Sequence, residues 1–482
     1  MRIIVGLLLG IYSLIKINAI YIRLAFILLL LVLFFVKPEF ESVTDPEILL
    51  IYIIVFFAAT FIHLLSEKDN KNWFRLDIMF LLGYGIVHFQ WPIMFSISEV
   101  YPDKFAKVTM SSFYVNYGTW LAAAGIVSWF LGHSFLAIRT VPVNVDYSFS
   151  YKKLLWLTVI LNVLFLSTAG SDYLSGGVYK GSGGSAAGEG IAAYFQLLLS
   201  FSIVVITATI LLNYKNNFKF NSMVWLLSLD KKYLFLTICY ILLFFSIGDR
   251  GASIQVIFAF LVLFGSLIRP IKFIELIIMT IIGSLLLTLI GLGRSAKDGD
   301  NILSSGLDNF EMTSGYDITL ELANSARTLY STLSAVPQYH DYFYGKLWLD
   351  KILSIFPFAQ NIYLQLSEDV TYEMGSSAYI TYLKFGLYPP SGEGTSLVAD
   401  IFLNFGLIGV LFCLFLLGMF FKKVENELKL QQNYYWMVTA ALLASMAFYM
   451  GRGSFFDPLR MIIWGLGLSY FFVRWRKREC IR

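Results

Sequence analysis

Three arginines sit beside or next to glycine at the ends of apolar runs: Arg250 in IGDRGAS, Arg294 in GLGRSAK and Arg452 in MGRGSFF. Arg327 lies in a more polar stretch between them. A guanidinium keeps its charge and takes phosphate oxygens through paired N–H groups. Glycines flanking Arg250 and Arg452 let a ligand approach the backbone closely. Ionisable groups at a membrane edge are costly to place and therefore mark candidate function. The competing structural role is to snorkel to a headgroup, or to pair with a neighbour such as Asp249 or Asp457. Three guanidiniums on one side favour a lipid-linked pyrophosphate at headgroup depth, with Arg327 as a fourth candidate. Arg460 follows Asp457 by three residues and can pair with it on one helix face, a structural role.

The elements that must position these groups are membrane helices. The chain has 482 residues, 58% hydrophobic and 14% charged, with mean hydropathy +0.70. A soluble domain carries about 25% charged residues, so a single soluble domain, a disordered chain and a coiled coil are excluded. Runs of about 20 apolar residues fall near 3–16, 20–36, 47–65, 76–97, 113–137, 154–170, 191–213, 233–248, 252–268, 271–292, 398–421, 434–450 and 455–473. The expected fold is an all-α polytopic membrane protein of about 12 or 13 transmembrane helices, because backbone groups in lipid must bond internally.

Lys and Arg of the short loops fall on one side, which the positive-inside rule makes cytoplasmic. They include Lys71, Arg75, Lys152, Lys231, Arg269, Lys422 and Lys429, with Arg474, Arg476, Lys477 and Arg478 in the tail. Residues 294–397 then form one large external loop between a helix bundle over 1–293 and closing helices over 398–482. Loops this long are seldom structureless unless functional. Apolar spacing predicts an amphipathic helix over 316–336 and a second over 346–358, ended by Pro357. The segment 171–190 reads as a flexible connector or a flap. Three cysteines give neither a disulfide framework nor a zinc spacing.

After the large loop comes GEGTSLVADIFLNFGLIGVLFCLFLLG. Ser396 is followed by nine residues and then Gly406-Leu-Ile-Gly409. This resembles the bacterial O-antigen polymerase and ligase superfamily. Ligases carry His where Thr395 stands here, so the resemblance is closer to the oligosaccharide repeat-unit polymerases. Gly248-Asp-Arg-Gly-Ala252 and YFYGKLWLDKILSIFPF at 342–358 are similar to other elements of those polymerases. The resemblance covers nearly the whole chain. It implies polymerisation of undecaprenyl-pyrophosphate-linked oligosaccharide repeat units at the outer face of the bacterial inner membrane. A ligase-type transfer and a lipid-linked oligosaccharide flippase are the alternatives. A chain-length regulator and a flippase are implied partners, alongside membrane lipid; nothing points to nucleic acid.

On this resemblance an acceptor hydroxyl attacks an anomeric carbon and pyrophosphate leaves. The leaving group needs positive charge, for which Arg250, Arg294, Arg452 and Arg327 are candidates. The hydroxyl needs a general base, for which Glu393, Asp400 and His340 are candidates. His63, His88 and His133 lie in or beside spans and read as structural. No cofactor is expected, and Asp298-Gly-Asp300 is a weak metal candidate. Tyr316, Tyr330, Tyr339, Tyr342, Tyr344, Tyr363, Tyr372, Tyr379, Tyr382 and Tyr388 crowd the large loop; they can stack sugar rings or simply pack on the membrane domain.

Overall fold

The computed structural model describes residues 19–67, 71–98, 113–136, 146–174, 190–213, 222–293, 306–307, 319–366, 371–389, 392–431 and 433–478. The span expected at 3–16, Arg294, Asp298, Asp300, Tyr316 and most of the 171–190 connector lie outside them.

Among the described residues a helix stands at each of the twelve positions expected from residue 20 onward. These are α1 (Ala19–Phe35), α2 (Pro46–Ser66), α3 (Leu76–Ser98), α4 (Val115–Phe135), α5 (Lys152–Thr168), α6 (Ile191–Asn213), α7 (Lys231–Ile247), α8 (Arg250–Leu267) and α9 (Phe273–Gly293), then α12 (Leu397–Leu430), α13 (Tyr434–Ala447) and α14 (Asp457–Phe472). By length and composition, α2, α3, α6, α8 and α12 suffice to cross a membrane. Outer faces of α1 (Leu24, Leu28, Leu31) and α9 (Ile274, Ile278, Ile282) are exposed and apolar, as acyl chains require. Helix starts follow local chemistry. Asp45 caps α2 through Glu47 N–H with Pro46 in the first turn, Asp230 caps α7 and Ser396 caps α12.

The centre of the bundle is the packing of α4 on α12. Small residues let the two backbones touch. A Cβ on Gly132 would lie 2.0 Å from the Phe415 carbonyl, and one on Gly418 would lie 2.1 Å from the Trp129 carbonyl. The closing helices thus pack into the first bundle: α13 lies on α8, α6 and α3, and α14 on α13 and α6.

Between α9 and α12 the structure differs from the two amphipathic helices expected. The first is broken into Leu320–Ala323 and α10 (Ala326–Ala335), with Asn324 and Ser325 between them. Leu320 and Ala323 pack against Trp91 and Met94 of α3. The second is a 3₁₀ turn (Lys346–Trp348) and a single helical turn (Leu349–Leu353). Two further helices, Ala359–Leu366 and α11 (Ser376–Phe385), go beyond those expected. The basic tail also differs. Arg474–Arg478 forms β2, antiparallel to β1 (Asp146–Ser150), with Phe149 opposite Trp475. Trp475 alternates with arginines and packs on Tyr434 and Tyr435, which fixes a strand in place of a loose tail.

The basic loops meet at one end of the bundle. Trp73 N–H donates to the Ile271 carbonyl at 2.8 Å, and Asn72 accepts from Ile271 N–H at 3.1 Å. Beneath them is a buried charge network. Asp77 accepts from Arg75 (2.6 Å) and contacts His63 (2.8 Å). Glu425 meets His133 (3.2 Å) and Asp77 N–H (3.2 Å), and Glu67 pairs with Lys422 and Lys429.

Candidate functional site

At the opposite end, α12 is kinked at Gly406, whose φ is +63°. A Cβ there would lie 2.7 Å from the Tyr342 ring, so glycine is required on both counts. The kink leaves carbonyls without helical partners. Phe343 N–H donates to the Leu403 carbonyl (3.0 Å) and Tyr344 N–H to the Asn404 carbonyl (2.9 Å). Asn404 Oδ1 accepts from Gly345 N–H (3.1 Å). The 342–348 segment therefore plugs the break in α12, which ties two separate sequence elements to one place.

Next to the plug is Asp400, fully buried. It accepts from Trp348 Nε1 (2.8 Å), Ser454 Oγ (2.9 Å), Phe455 N–H (2.8 Å) and Ser376 Oγ. A carboxylate enclosed by four donors joins α11, the plug and the turn before α14. It is suited to holding these three together and has no face open to a substrate.

These segments enclose a cleft of about 640 Å³, lined in part by Asp350, Lys351, Tyr372, Tyr382, Thr395, Arg452 and Asp457. Arg452 is carried by a 3₁₀ turn (Met450–Arg452). Gly451 lets that turn lie on α3, since a Cβ would meet Tyr84 Cα at 3.0 Å, and Gly453 makes room for Asp457 Oδ2. Asp457 accepts from Ser454 N–H at 2.7 Å and pairs with Lys351 at 2.9 Å. It thus takes Lys351 where sequence spacing offered Arg460. Burial works against the Lys351 charge, but the Asp457 and Asp350 carboxylates outweigh it and hold its pKa above the ordinary lysine value.

Arg250 opens α8, yet the neighbouring Asp249 accepts from Tyr173 (2.8 Å) and Gln196 (3.0 Å). Arg250 reaches Glu321, and Arg452 Nη1 lies 3.7 Å from the other oxygen of the same carboxylate. Two guanidiniums separated by about 200 residues of sequence thus converge on one anionic group. Arg327 is elsewhere: its Nε meets Glu393 at 2.6 Å, and Lys384 meets the other Glu393 oxygen at 2.5 Å. Arg327 and Lys384 line a second cavity of about 370 Å³. His340 contacts Tyr379 Oη and the Asp341 carbonyl. Burial pushes the Tyr379 phenol up to about 12. Neither Glu393, Asp400 nor His340 is part of the large cleft's wall.

Sequence reading did not single out Lys351 or Asp350. Their signal is the adjacent Asp350-Lys351 pair after the tryptophan of LWLDK, visible only once α14 is known to fold over it. Of the crowded tyrosines, Tyr330 and Tyr379 are buried, while Tyr372 and Tyr382 line the cleft. At the basic end, His63, Asp77 and His133 hold possible ligand atoms within 4.8 Å of one another, but both Asp77 oxygens already engage Arg75 and His63.

No curated protein and no solved structure matches the chain. A family model does, over residues 22–478, which include every element of the cleft. The plugged Gly406 kink, the paired guanidiniums and the multi-pass bundle are therefore features of a chain that belongs to the family described as O-antigen polysaccharide polymerase Wzy.

Proposed function

We propose that the chain polymerises undecaprenyl-pyrophosphate-linked repeat units at the periplasmic face of the bacterial inner membrane, by glycosyl transfer without a metal. The supporting observation is the convergence of Arg250 and Arg452 on Glu321. An anion already occupies the point where the two charges meet, and a diphosphate has the oxygens to take its place. In the reaction an acceptor hydroxyl oxygen bonds to the anomeric carbon of the donor sugar. The bond from that carbon to the pyrophosphate oxygen breaks, and its electron pair leaves with the pyrophosphate. Arg250 and Arg452 stabilise that developing charge, with Lys351 contributing from the cleft wall it shares with Arg452. The hydroxyl proton passes to a carboxylate of the cleft. Asp350 serves this best: its Oδ1 accepts from the neutral Gln360 amide, and its contact to Lys351 (3.4 Å) is looser than that of Asp457 (2.9 Å). Asp400 acts as a positioning residue behind the wall. Arg327 and Glu393, closed on each other and Lys384, hold α10, α11 and the approach to α12 together.

The test uses purified full-length protein in detergent with lipid-linked repeat units. Polymer and released undecaprenyl pyrophosphate are expected, at a rate unchanged by chelator. Absence of polymer together with substrate movement across a vesicle bilayer would replace this reading with transport; a rate abolished by chelator would overturn the metal-free chemistry.

A further inference from the structure

Tyr372 and Tyr382 lie ring on ring, with centroids 3.8 Å apart and planes within 9°, and both line the large cleft. Tyr382 comes from the middle of α11 and Tyr372 from the short turn Thr371–Glu373 before it. Each ring blocks rotation of the other, so the pair is a rigid flat plate. Asp350, Lys351 and Asp457 stand on the wall of the same cleft. Small-molecule sites run roughly 300–1,000 Å³ and combine apolar plates with a few polar groups; this cleft, at about 640 Å³, exceeds what a diphosphate alone would fill.

A pyranose ring has one apolar face of C–H bonds and a rim of hydroxyls. An aromatic plate flanked by carboxylates and an ammonium matches both surfaces. We propose that the Tyr372–Tyr382 pair is the platform for one neutral pyranose ring of the repeat unit, with Asp350 and Asp457 accepting from its rim hydroxyls. The identity of the glycan rests on the polymerase reading; the platform is tested apart from it.

The probe is the repeat-unit oligosaccharide released by mild acid from the host's lipid-linked precursor, so that it carries no pyrophosphate. It is added to full-length protein in detergent and followed by saturation-transfer NMR and titration. Transfer to the axial ring protons of one sugar is expected. Tyr382→Ala and Tyr372→Ala each weaken binding about tenfold, whereas Tyr382→Phe, which keeps the ring face, stays within about twofold. Thermal unfolding identifies any alanine variant that is misfolded, and Tyr382→Phe against Tyr382→Leu then carries the comparison. The proposal is overturned if the native protein shows no transfer, if the alanine variants bind like native protein, or if Phe loses as much as Ala. Polymer formation with tyrosine-independent binding removes the platform and leaves the polymerase reading standing. Tyrosine-dependent binding with no polymer does the reverse.

Discussion

Replacing Arg452 by alanine is expected to stop long-chain synthesis while leaving the protein folded, and the geometry sets both magnitudes. Its partner Glu321 is 3.7 Å away and half exposed, and Arg452 is itself 41% exposed. Such a pair contributes about 0–1 kcal/mol to stability. The Arg452 N–H bond to the Tyr449 carbonyl survives in alanine. A charge-assisted contact to a phosphate oxygen is worth about 1.5–3 kcal/mol, which converts to roughly a 10- to 150-fold loss in rate. Arg250 is 14% exposed, so its contact is less screened and Arg250→Ala should fall toward the upper end. The double variant should lose less than the product of the two, because both groups act on one ligand. Lysine at either position keeps the charge and loses the paired N–H geometry, giving an intermediate loss. The assay is the initial rate of polymer formation in detergent, with chain length by gel and thermal unfolding alongside. If both alanine variants polymerise within about twofold of native protein, the two guanidiniums do not grip the leaving group and the reasoning fails.

Glu321→Gln should strengthen binding of undecaprenyl pyrophosphate several-fold, since a neutral amide competes less for the two arginines; titration with that product checks it, and weaker binding would contradict the placeholder role. Asp400→Asn turns an acceptor toward buried donors and leaves at least one unpaired, costing about 1–3 kcal/mol; the readout is the unfolding midpoint, and an unshifted midpoint would show that the hub is not structural. Gly406→Ala must adopt a positive φ and displace the Tyr342 ring, together about 2–4 kcal/mol, whereas an unchanged midpoint would mean the kink relaxes. At the basic end, Glu67→Gln leaves Lys422 buried without its partner and should cost about 3–5 kcal/mol, while Glu67→Leu with Lys422→Met recovers most of it; equal loss in both would show that the pair is not the cause.

Membrane helices were legible because a run of apolar residues is a property of neighbours in sequence. The bounds of α6 coincide with the expected span at 191–213, and those of α2 and α8 fall within two residues. Loop elements were less legible. The break at Asn324-Ser325 and the shortness of the helix at Leu349–Leu353 depend on what lies beneath them. Helix α11 could have been read from Gly375 and Gly386, which bracket SSAYITYLKF. Among site residues, the arginines were visible from cost: a charge at an apolar edge needs a reason. Their common side and shared anion were legible too; the carboxylate that Arg250 and Arg452 share was not, because Glu321 falls in a segment that reads as part of an amphipathic helix. Of the base candidates, Glu393 stands out by its closeness to the Ser396–Gly409 motif, Asp400 by its place at the start of a span and His340 as the histidine of the large loop. These criteria reach the buried hub Asp400 and pass over Asp350, which the fold brings to the cleft.

The motif itself takes on a physical meaning once the kink is seen. Gly406 breaks α12, and the break exposes the carbonyls of Leu403 and Asn404 where a membrane offers no water to satisfy them. The chain supplies the missing donors from Phe343 and Tyr344, Gly345 N–H adds a bond to the Asn404 side chain, and Trp348, just beyond, reaches back to Asp400. A plug of this kind fixes the start of Leu349–Leu353, and so fixes Asp350 and Lys351 against Asp457 and the Arg452 turn. The glycine pattern is then a requirement of cleft assembly, acting at a distance from the reacting atoms. Gly409→Ala tests this separation. A Cβ there would meet Phe405 Cβ at 2.3 Å within the same helix and no group of the cleft. If the motif serves assembly, the variant should lower the unfolding midpoint and the rate together, and second-site changes that restore the midpoint should restore the rate. A variant with native stability and no polymer would instead place Gly409 at the substrate.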